Sequence, residues 1–580
     1  MSTLTEIYDI CRDYVDDSRD TLGGLYSILH GYIRSRDLVR LAESTSLFDP
    51  ALHGIDIART LRQISALFKK NAVFVDNDRC LKAAEASFNK AETVCRITNR
   101  RLTHYYVHQD RLDPELYLLM GKMERSISDL LGSFDDFLEN IPASIKVTSG
   151  ASATQSRKQS LPYLKLSRRV YCSPGAIPYL AALQTYYGYS AVKFKGLPLN
   201  RVEFVPKNFK THRTIACEPA GNVPLQLAFD RYAKDRLQKW KVDLSSQVLN
   251  QRLAKEGSIN GKFATVDLSM ASDTLALAAV EWLLPPAWTK YLKDVRSSHY
   301  INSFGRFTPY SKFSSMGNGS TFALETLIFA AAVRAVGSHQ YAVYGDDIVI
   351  ETELYGKLTK LLSFLGFSVN LEKSYAEGPF RESCGTDWFN GGNITPFYLR
   401  EWDQRKNILA HNVNGLVRVS KPEGLLWSRM RDIVKARNVL CVPPGEDTMS
   451  GVFIDVHSCY AKKLLTRKSS DNKLRGYQSV LHRAYLTKNS SRKKGDSRTL
   501  FLWYLDRLYQ GGDEEGRLWY PIMGHQGLLP NLTSTTVSSR VPNLVHKFRT
   551  GWVVWKVPRM DASDHHLYIW SDFLFPNIGE

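Results

Sequence analysis

Three aspartates of this 580-residue chain stand where carboxylates could bind a metal ion. Asp346 and Asp347 follow Gly345 between two apolar runs, and Asp267 ends a third apolar run. Adjacent carboxylates repel each other unless a cation compensates them, and Mg²⁺ takes one or two carboxylates and completes its shell with water and phosphate. The pattern is typical of a magnesium site, although Gly-Asp-Asp taken alone is equally compatible with a solvated acidic turn.

The apolar runs predict the strands that would position these aspartates. The β-branched and aromatic residues on both sides of Gly345 predict a hairpin, and a two-residue loop with Gly first is typical of a type II′ turn. Gly345 and Asp346 would form its tip. The run before Asp267 predicts a strand that presents this carboxylate at its end, although a turn at the start of a helix is an equal alternative for Asp267 alone.

Two further segments could contact phosphate. Lys207, Lys210 and Arg213 lie beside an apolar strand-like run and could grip a triphosphate, with Lys as a point charge and Arg as a bidentate fork. The alternative is a solvated basic edge strand. Residues 314–321 form a glycine-rich loop that leads into a helix over 322–336, where backbone amides could contact phosphate. A plain loop with a helix cap is the alternative there.

Composition favours a globular protein with a polyanionic partner. Hydrophobic residues make up 43% of the chain, and 76 Lys and Arg against 58 Asp and Glu give a net charge of +18. Such a bias favours nucleic acid through steering and counterion release, and leaves an anionic membrane surface open. The eight dispersed cysteines show no C-x-x-C spacing and predict reduced thiols. We expect no export signal and no membrane span.

The chain divides by pattern. Residues 1–147 have mostly helical periodicity, with predicted helices over 26–33, 58–68 and 81–97, and a polar, turn-rich stretch follows at 148–160. Residues 462–498 are basic with interleaved aromatics, which suits a groove for a nucleic-acid backbone, although a solvated helix face explains the charges equally well.

Read in order, these segments resemble motifs F, A, B, C and D of RNA-dependent RNA polymerases. They are the basic strand, the Asp267 strand, the Gly317 loop and helix, the Gly345 hairpin, and Lys373 just beyond a short strand. More narrowly, the chain resembles the catalytic replicase subunit of levivirus-type RNA bacteriophages over residues 205–219, 314–330, 343–350, 377–385 and 395–400. Together the five motifs identify a family that none identifies alone.

The resemblance implies an α+β, right-hand polymerase fold of fingers, palm and thumb, with an antiparallel palm sheet packed on helices. Residues 1–147 would be the helical N-terminal region that supports fingers and palm, and residues 148–260 would be the fingers with the basic nucleotide-binding motif. Residues 261–400 would be the palm with motifs A to D, with about 290–312 as a candidate fingers insertion. Residues 401–580 would be the thumb and C-terminal region.

The resemblance also implies roles. Asp267 and Asp346 would bind two Mg²⁺ ions, for which Mn²⁺ can substitute, and Asp347 would complete the acidic cluster. Lys373 occupies the position of a general acid for pyrophosphate. Phosphates would be neutralised by Lys207, Lys210 and Arg213, and template and primer contacts would come from Ser315, Gly317, Gly319, Tyr344 and Gly345.

One departure from the family concerns the ribose. In many viral RNA polymerases, an Asp five residues after the first motif A carboxylate and an Asn eight after the motif B glycine recognise the 2′-hydroxyl. Here these positions hold Ser272 and Glu325. Asp273 and Asn318 are therefore the candidates for this contact.

The activity implied by the resemblance is replication of a single-stranded RNA phage genome from ribonucleoside triphosphates in the bacterial host cytoplasm. The implied partners are template and product RNA, the host elongation factors Tu and Ts, and a large protein of the small ribosomal subunit. A reverse transcriptase, which shares the palm and a Tyr-x-Asp-Asp hairpin, is the nearest rival enzyme. A basic RNA-binding protein without catalysis is the rival from another class.

Overall fold

The computed structural model describes residues 3–50, 52–148, 150–155, 165, 169–186, 192–302, 304–443, 446–454, 465–469, 478–485 and 550–554. In the described part of the first 147 residues, every regular element is a helix, as the periodicity predicted. They are α1 (Thr3–Asp17), α2 (Arg19–Leu22), α3 (Leu25–Arg34), α4 (Leu38–Ala42), α5 (Ile55–Phe68), α6 (Asn77–Val107), α7 (Pro114–Leu131) and α8 (Phe134–Ser144). The three predicted helices lie within α3, α5 and α6.

Side-chain caps fix where the long helices of this region begin. Asp76 accepts a hydrogen bond from the third amide of α6, and Asp113 does the same for α7, whose first residue is Pro114. Ser133 caps α8. Each cap satisfies one of the amides that the first helical turn leaves without an intrahelical partner, so the sequence itself determines these boundaries.

The next segment, up to residue 260, alternates short strands with helices. It contains β1 (Arg169–Cys172), α9 (Ile177–Tyr186), β2 (Lys193–Gly196), β3 (Arg201–Pro206), β4 (His212–Cys217), α10 (Asn222–Leu237) and α11 (Val248–Asn260). β1 and β2 pair in parallel, whereas β3 and β4 form an antiparallel hairpin that carries the basic motif.

Residues 261–400 hold the central sheet. The elements are β5 (Phe263–Val266), β6 (Leu268–Ser269), α12 (Ala271–Thr274), α13 (Leu277–Leu283), α14 (Pro286–Asp294), β7 (His299–Ile301), β8 (Phe307–Pro309), α15 (Thr321–Ala335), β9 (Ala342–Tyr344), β10 (Asp347–Glu351), α16 (Tyr355–Phe364), β11 (Ser368–Val369), β12 (Phe380–Ser383), β13 (Thr386–Phe389) and β14 (Gly392–Asn393). The central sheet has the strand order β5-β10-β9 and is antiparallel throughout. The predicted antiparallel sheet packed on helices is confirmed.

Beyond residue 400 the described elements are α17 (Lys406–Val419), α18 (Leu425–Ala436), β15 (Cys441–Val442), β16 (Val452–Phe453), β17 (Leu465–Ser469), β18 (Gln478–Tyr485) and β19 (Thr550–Val554). β17, β18 and β19 form an antiparallel sheet. Most of the basic stretch at 462–498, and most of the predicted thumb region, lies outside the described residues.

Two large apolar clusters hold these elements together. The first joins α6, α7 and α8 to the central sheet and to α15, which is buried along nearly its whole length. The second joins α1, α3 and α5 to α17 and α18. The first N-terminal helices therefore share one core with the segment after residue 400. The central sheet packs on one face against α15 within the first cluster and on the other face against Leu253 of α11.

Two expectations from composition can be compared with the described residues. Seven of the eight cysteines are described and all seven are free thiols, as predicted; Cys459 lies outside the described residues. Over the same residues, no helix combines the length and the hydropathy that crossing a bilayer would require.

Candidate active site

The central sheet brings the three aspartates to one end. Ile348 pairs with Val266, so Asp347 and Asp267 occupy the next positions of two neighbouring strands. Asp347 also pairs with Tyr344, which leaves Gly345 and Asp346 as the two residues of the hairpin tip. The predicted hairpin is confirmed. Asp267 lies directly after its strand, because β5 ends at Val266.

The hairpin tip rests against α15. Gly345 has φ of +61°, which suits the first loop residue of a type II′ turn. A Cβ atom there would lie 2.6 Å from the Phe322 ring, and the Gly345 amide donates to Thr326 Oγ1 at 3.1 Å. Tyr344 packs on the same Phe322 ring, with centroids 5.2 Å apart. Within the protein, Gly345 thus allows close approach of a helix.

Asp267 is held by neutral and cationic neighbours from the segment after β11. Asn370 donates to Asp267 Oδ2 at 2.8 Å, and Lys373 Nζ lies 3.9 Å from Asp267 Oδ1. Ser374 donates through its hydroxyl to the Asp267 carbonyl at 3.2 Å. Burial nevertheless raises the pKa of Asp267, and the nearby Asp346 and Glu382 add to the rise. The charge of this carboxylate is incompletely compensated within the protein.

Asp347 is in a similar state. Its side chain accepts the Cys384 amide at 3.1 Å. Burial raises the pKa of Asp347 to about 6, and the charges of Asp346 and Asp267 act in the same direction. The three carboxylates therefore act on one another electrostatically, although Asp267 is distant in the sequence from the adjacent Asp346 and Asp347.

The donor chemistry of this group fits a hard divalent cation. Carboxylate oxygens are the ligands that Mg²⁺ and Mn²⁺ take up, and mutual repulsion of buried carboxylates is relieved by a cation. In the described part of the chain, no three His, Cys, Asp or Glu side chains converge closely enough to enclose an ion by themselves. Mg²⁺ commonly keeps water and substrate phosphate in its shell, so one or two carboxylates per ion suffice.

Cationic side chains lie beside the carboxylates. Burial tends to lower the pKa of Lys373, but Glu382 and the three aspartates outweigh it and the pKa is raised, so this side chain is an ammonium at neutral pH. Burial and the neighbouring Arg213 lower the pKa of Lys207, whereas the charges of Asp267 and Asp346 act in the opposite direction.

The basic hairpin does not present its three cations alike. Lys207 and Arg213 lie near each other, and Arg213 pairs with Val205 across the hairpin and is exposed. Lys210 instead forms an ion pair with Glu43, and both side chains are about half exposed. The structure therefore brings Lys207 towards the carboxylates, with Arg213 beside it, and pairs Lys210 with Glu43.

The glycine loop before α15 packs against β4 and α10. Gly317 has φ of +112°, and a Cβ atom there would lie 2.3 Å from the Ala216 carbonyl oxygen. The Gly319 amide donates to Gln226 at 2.9 Å, and the buried Ser315 accepts the Thr321 hydroxyl on its carbonyl at 3.1 Å. These residues couple the basic hairpin and α10 to α15.

The two candidates for ribose recognition are engaged within the fold. Asp273 accepts from Lys312 Nζ at 2.8 Å, and the Lys312 side chain is fully buried. Asn318 is buried and accepts the amide and hydroxyl of Ser320 at 2.9 and 2.7 Å. Both side chains have structural partners that account for their positions.

The two positions that depart from the family pattern lie together instead. Ser272 forms a hydrogen bond with the Glu325 carboxyl, which is only 3% exposed. Glu325 Oε1 has no hydrogen-bond partner among the described residues. Burial raises the pKa of Glu325 to about 8, and Asp346 and Asp273 contribute. Glu325 is thus a buried acid next to the hairpin tip with one oxygen that lacks a hydrogen bond. In the sequence, its only sign was the departure from the family pattern at this position.

Glu382 is a site residue that the sequence analysis did not single out. Its charge acts on Asp267, Asp347 and Lys373, and Arg62 of α5 contacts it at 3.5 Å. Arg62 also contacts Asp387 at 2.7 Å. Glu382 belongs to a stretch recognised only through family resemblance, and Arg62 is more than 300 residues away, so local pattern could not connect the two.

Comparisons with known proteins identify a family and several similar chains. The family described as RNA replicase, beta-chain matches residues 37–479. The RNA-directed RNA polymerase subunit beta of Qbeta virus (strain MX1) is 40% identical over 319 residues, 54% of either chain. The RNA-directed RNA polymerase beta chain of Enterobacteria phage GA is 30% identical over 390 residues, 64% of this chain and 70% of that one. The chain thus spans about half the length of the Qbeta relative.

Among solved structures, the RNA-dependent RNA polymerase of BmCPV at elongation state superimposes with a TM-score of 0.37 and 10% identity, covering 73% of this chain and 43% of that one. The family match covers most of the chain and includes every element of the site described above. The protein belongs to the RNA replicase beta-chain family.

Proposed function

We propose that this chain is an RNA-dependent RNA polymerase that replicates a single-stranded RNA phage genome by nucleotidyl transfer from ribonucleoside triphosphates, with release of pyrophosphate. The observation that carries the proposal is the shared sheet end of Asp267, Asp346 and Asp347, whose charges also act on Lys373. The family match supports the same activity.

In this proposal Asp267 and Asp346 hold two Mg²⁺ ions and Asp347 completes the acidic group. When bound, the ions supply a lowered pKa at the attacking 3′-hydroxyl and charge stabilisation at the departing pyrophosphate. Lys207 and Arg213 neutralise the triphosphate, and Lys373, as an ammonium, can give a proton to the pyrophosphate. Lys210 contributes long-range charge, since Glu43 already engages it.

The ribose contact is assigned differently from the sequence-based candidates. Asp273 and Asn318 have partners within the fold, whereas Glu325 keeps one oxygen free beside Asp346 and is oriented by Ser272. A 2′-hydroxyl can donate to that oxygen, and a deoxyribose would leave it unpaired. We therefore assign sugar discrimination to Glu325 and Ser272.

The proposed partners follow from the family. A chain that works as a beta subunit has other subunits, and we propose the host elongation factors Tu and Ts and a large protein of the small ribosomal subunit, together with template and product RNA. Purification from the host, with identification of co-purifying proteins, tests this set.

The test of the activity is Asp346→Asn. Loss of one metal-binding oxygen beside the reacting groups should lower nucleotide incorporation on an RNA template by about 10³-fold or more, whereas RNA retention on a filter stays close to that of the unsubstituted protein. The control is Asp129→Asn on the exposed face of α7, which removes the same charge far from the site.

Three results would contradict the proposal. Incorporation that survives Asp346→Asn would remove this carboxylate from the chemistry. Retention of RNA without any incorporation by the unsubstituted protein would favour a binding protein without catalysis. A preference of the unsubstituted protein for deoxyribonucleotides on the same template would identify a reverse transcriptase instead.

A further inference from the structure

The C-terminal end of α5 places two lysines next to the active site. Lys69 and Lys70 follow the last residue of this helix, where the helix dipole favours cations. Neither lysine belongs to a polymerase motif recognised in the sequence, because both lie in the helical N-terminal region. Their position nevertheless depends on the segments that surround the carboxylates.

Backbone contacts fix this turn between two segments of the site. The Phe209 amide in the basic hairpin donates to the Lys69 carbonyl at 3.4 Å, and the Ala72 amide donates to the Arg400 carbonyl at 2.8 Å. Leu399 donates to Ala66 at 3.2 Å. The buried Gln63 side chain exchanges two hydrogen bonds with the Phe397 backbone, at 2.8 and 3.0 Å. The turn is therefore held by main chain on both sides.

The lysine side chains form a cationic cluster with residues after β14. Lys70 Nζ lies 3.7 Å from the centroid of the half-buried Tyr398 ring, which restricts the lysine to one direction. The charges of Arg400, Lys373 and Lys69 all act on Lys70, and those of Lys373, Arg62 and Lys210 act on Lys69. Burial and Arg400 lower the pKa of Lys70 to about 8, so its ammonium lacks compensation.

The acids near this cluster are already engaged. Glu382 acts on both lysines and Asp387 on Lys70, but Arg62 contacts both carboxylates, at 3.5 and 2.7 Å. Because the nearby carboxylates are paired with Arg62, these two amines and one guanidinium form a surface that favours an anion from outside. Lys373 links this group to Asp267, so the anion would lie beside the catalytic carboxylates.

We infer that Lys69, Lys70 and Arg400 form a phosphate-binding site next to the active site, on the side where α5 ends. The chemistry recognised is the doubly or singly charged phosphate group, with Arg400 as the bidentate partner and the lysines as point charges. Two sources carry this group: the triphosphate of a nucleotide and the backbone of the RNA strand. The choice between them rests on the proposed function, whereas phosphate binding itself does not.

The experiment compares Lys70→Gln/Arg400→Gln with a matched control, Lys90→Gln/Arg96→Gln, which removes the same two charges from exposed positions of α6. Three quantities are measured in the full chain: the KM for nucleotides, inhibition by inorganic tripolyphosphate, and the affinity for single-stranded RNA without nucleotide over a series of salt concentrations.

A nucleotide source predicts that the KM and the inhibition constant of tripolyphosphate each rise by about tenfold, with RNA affinity unchanged. An RNA source predicts weaker RNA binding and a salt dependence shallower by about 0.7 per lost contact, with the KM unchanged. Equality of the site variant and the control variant in all three measurements would overturn the inference.

Two further variants distinguish a loss of phosphate binding from a loss of folding. Lys70→Arg keeps the charge and should retain the binding of the unsubstituted protein, and Lys69→Gln removes a single charge and should show a smaller effect of the same kind. If the unsubstituted protein does not polymerise, the proposed function fails, but the RNA affinity and the dissociation constant of tripolyphosphate from a direct titration still test the site, because neither requires turnover.

Discussion

Two groups of acids near the end of the central sheet have their negative charge compensated in different ways. In the first group, which we call the hairpin acids (Asp267, Asp346 and Asp347), Lys373 lies 3.9 Å from Asp267. The Lys312 group, Asp273 and Glu92, surrounds a fully buried lysine at 2.8 and 3.8 Å, and that lysine also lies 4.0 Å from the Phe88 ring centroid.

The source of the counter-charge distinguishes a structural acid from an acid that can bind an external cation. In the Lys312 group the counter-charge is part of the chain and is inaccessible to solvent, so these acids complete the fold. In the hairpin group, neutral donors hold the carboxylates while their repulsion persists, which leaves room for an external cation. Acid content alone would not have separated the two.

The largest expected effect comes from removing the internal cation. Lys312→Met should destabilise the fold by about 3–5 kcal/mol, because it leaves the buried Glu92 and the partly buried Asp273 without a counter-charge. The measurement is the urea midpoint of unfolding. The added substitutions Asp273→Asn and Glu92→Gln should recover most of the loss, and Lys90→Met on the exposed face of α6 is the control. An unchanged urea midpoint in Lys312→Met would show that the Lys312 group does not stabilise the fold, and would contradict its distinction from the hairpin acids.

Glu325 interacts electrostatically with one acid of each group, Asp346 and Asp273. Burial raises its pKa to about 8 in the folded protein, above the ordinary value of 4.5, so the folded state holds this proton more tightly than the unfolded state. Stability from this group is complete below about pH 4.5 and is lost as the pH rises towards about 8.

Glu325→Gln should therefore gain stability relative to the unsubstituted protein across this window, by up to about 1.4 kcal/mol per pH unit. Urea unfolding at about pH 5 and about pH 8 measures the difference. A constant difference between the two proteins over this range would show that Glu325 is not held neutral by the fold. A substitution that also removes the acceptor oxygen, Glu325→Leu, tests the ribose assignment, since it should discriminate less between ribo- and deoxyribonucleotides.

The smallest expected effect is a gain in stability, opposite in sign to the loss expected for Lys312→Met. Asp347→Asn should stabilise the metal-free protein by about 1 kcal/mol, because it removes a buried charge that Asp346 and Asp267 repel, while the amide oxygen can still accept the Cys384 amide. Incorporation should fall at the same time. Melting temperature and incorporation, measured on one preparation, give both quantities. A loss of stability would place Asp347 with the structural acids.

The parts of the site predicted from sequence are those encoded within a few residues. The hairpin around Gly345 and the strand before Asp267 follow from apolar alternation and turn chemistry, and the helical N-terminal region follows from periodicity and caps. The short strand expected after α16 is present as β11, where it pairs with β6 and brings Asn370 to Asp267.

The parts that sequence could not supply depend on distant residues. Nothing near Asp273 in the chain identifies Lys312 as its partner, and nothing near Lys70 identifies Tyr398. The same holds for Gly345, whose lack of a side chain is required by Phe322 in α15. Partner choice in tertiary structure, and so the neutralisation of each acid, cannot be read from local pattern.

The core shared by the first and last described helices has a consequence for synthesis of the chain. Arg429 contacts Asp13 in an ion pair, Asp17 accepts the amides of Leu425 and Leu426, and the Trp402 indole donates to Glu6, each across roughly 400 residues. The ribosome releases α1 long before these partners exist, and contacts so distant in sequence form slowly. Nascent chains must therefore carry an uncovered apolar helical surface through most of translation, a period in which they are open to chaperones and proteases.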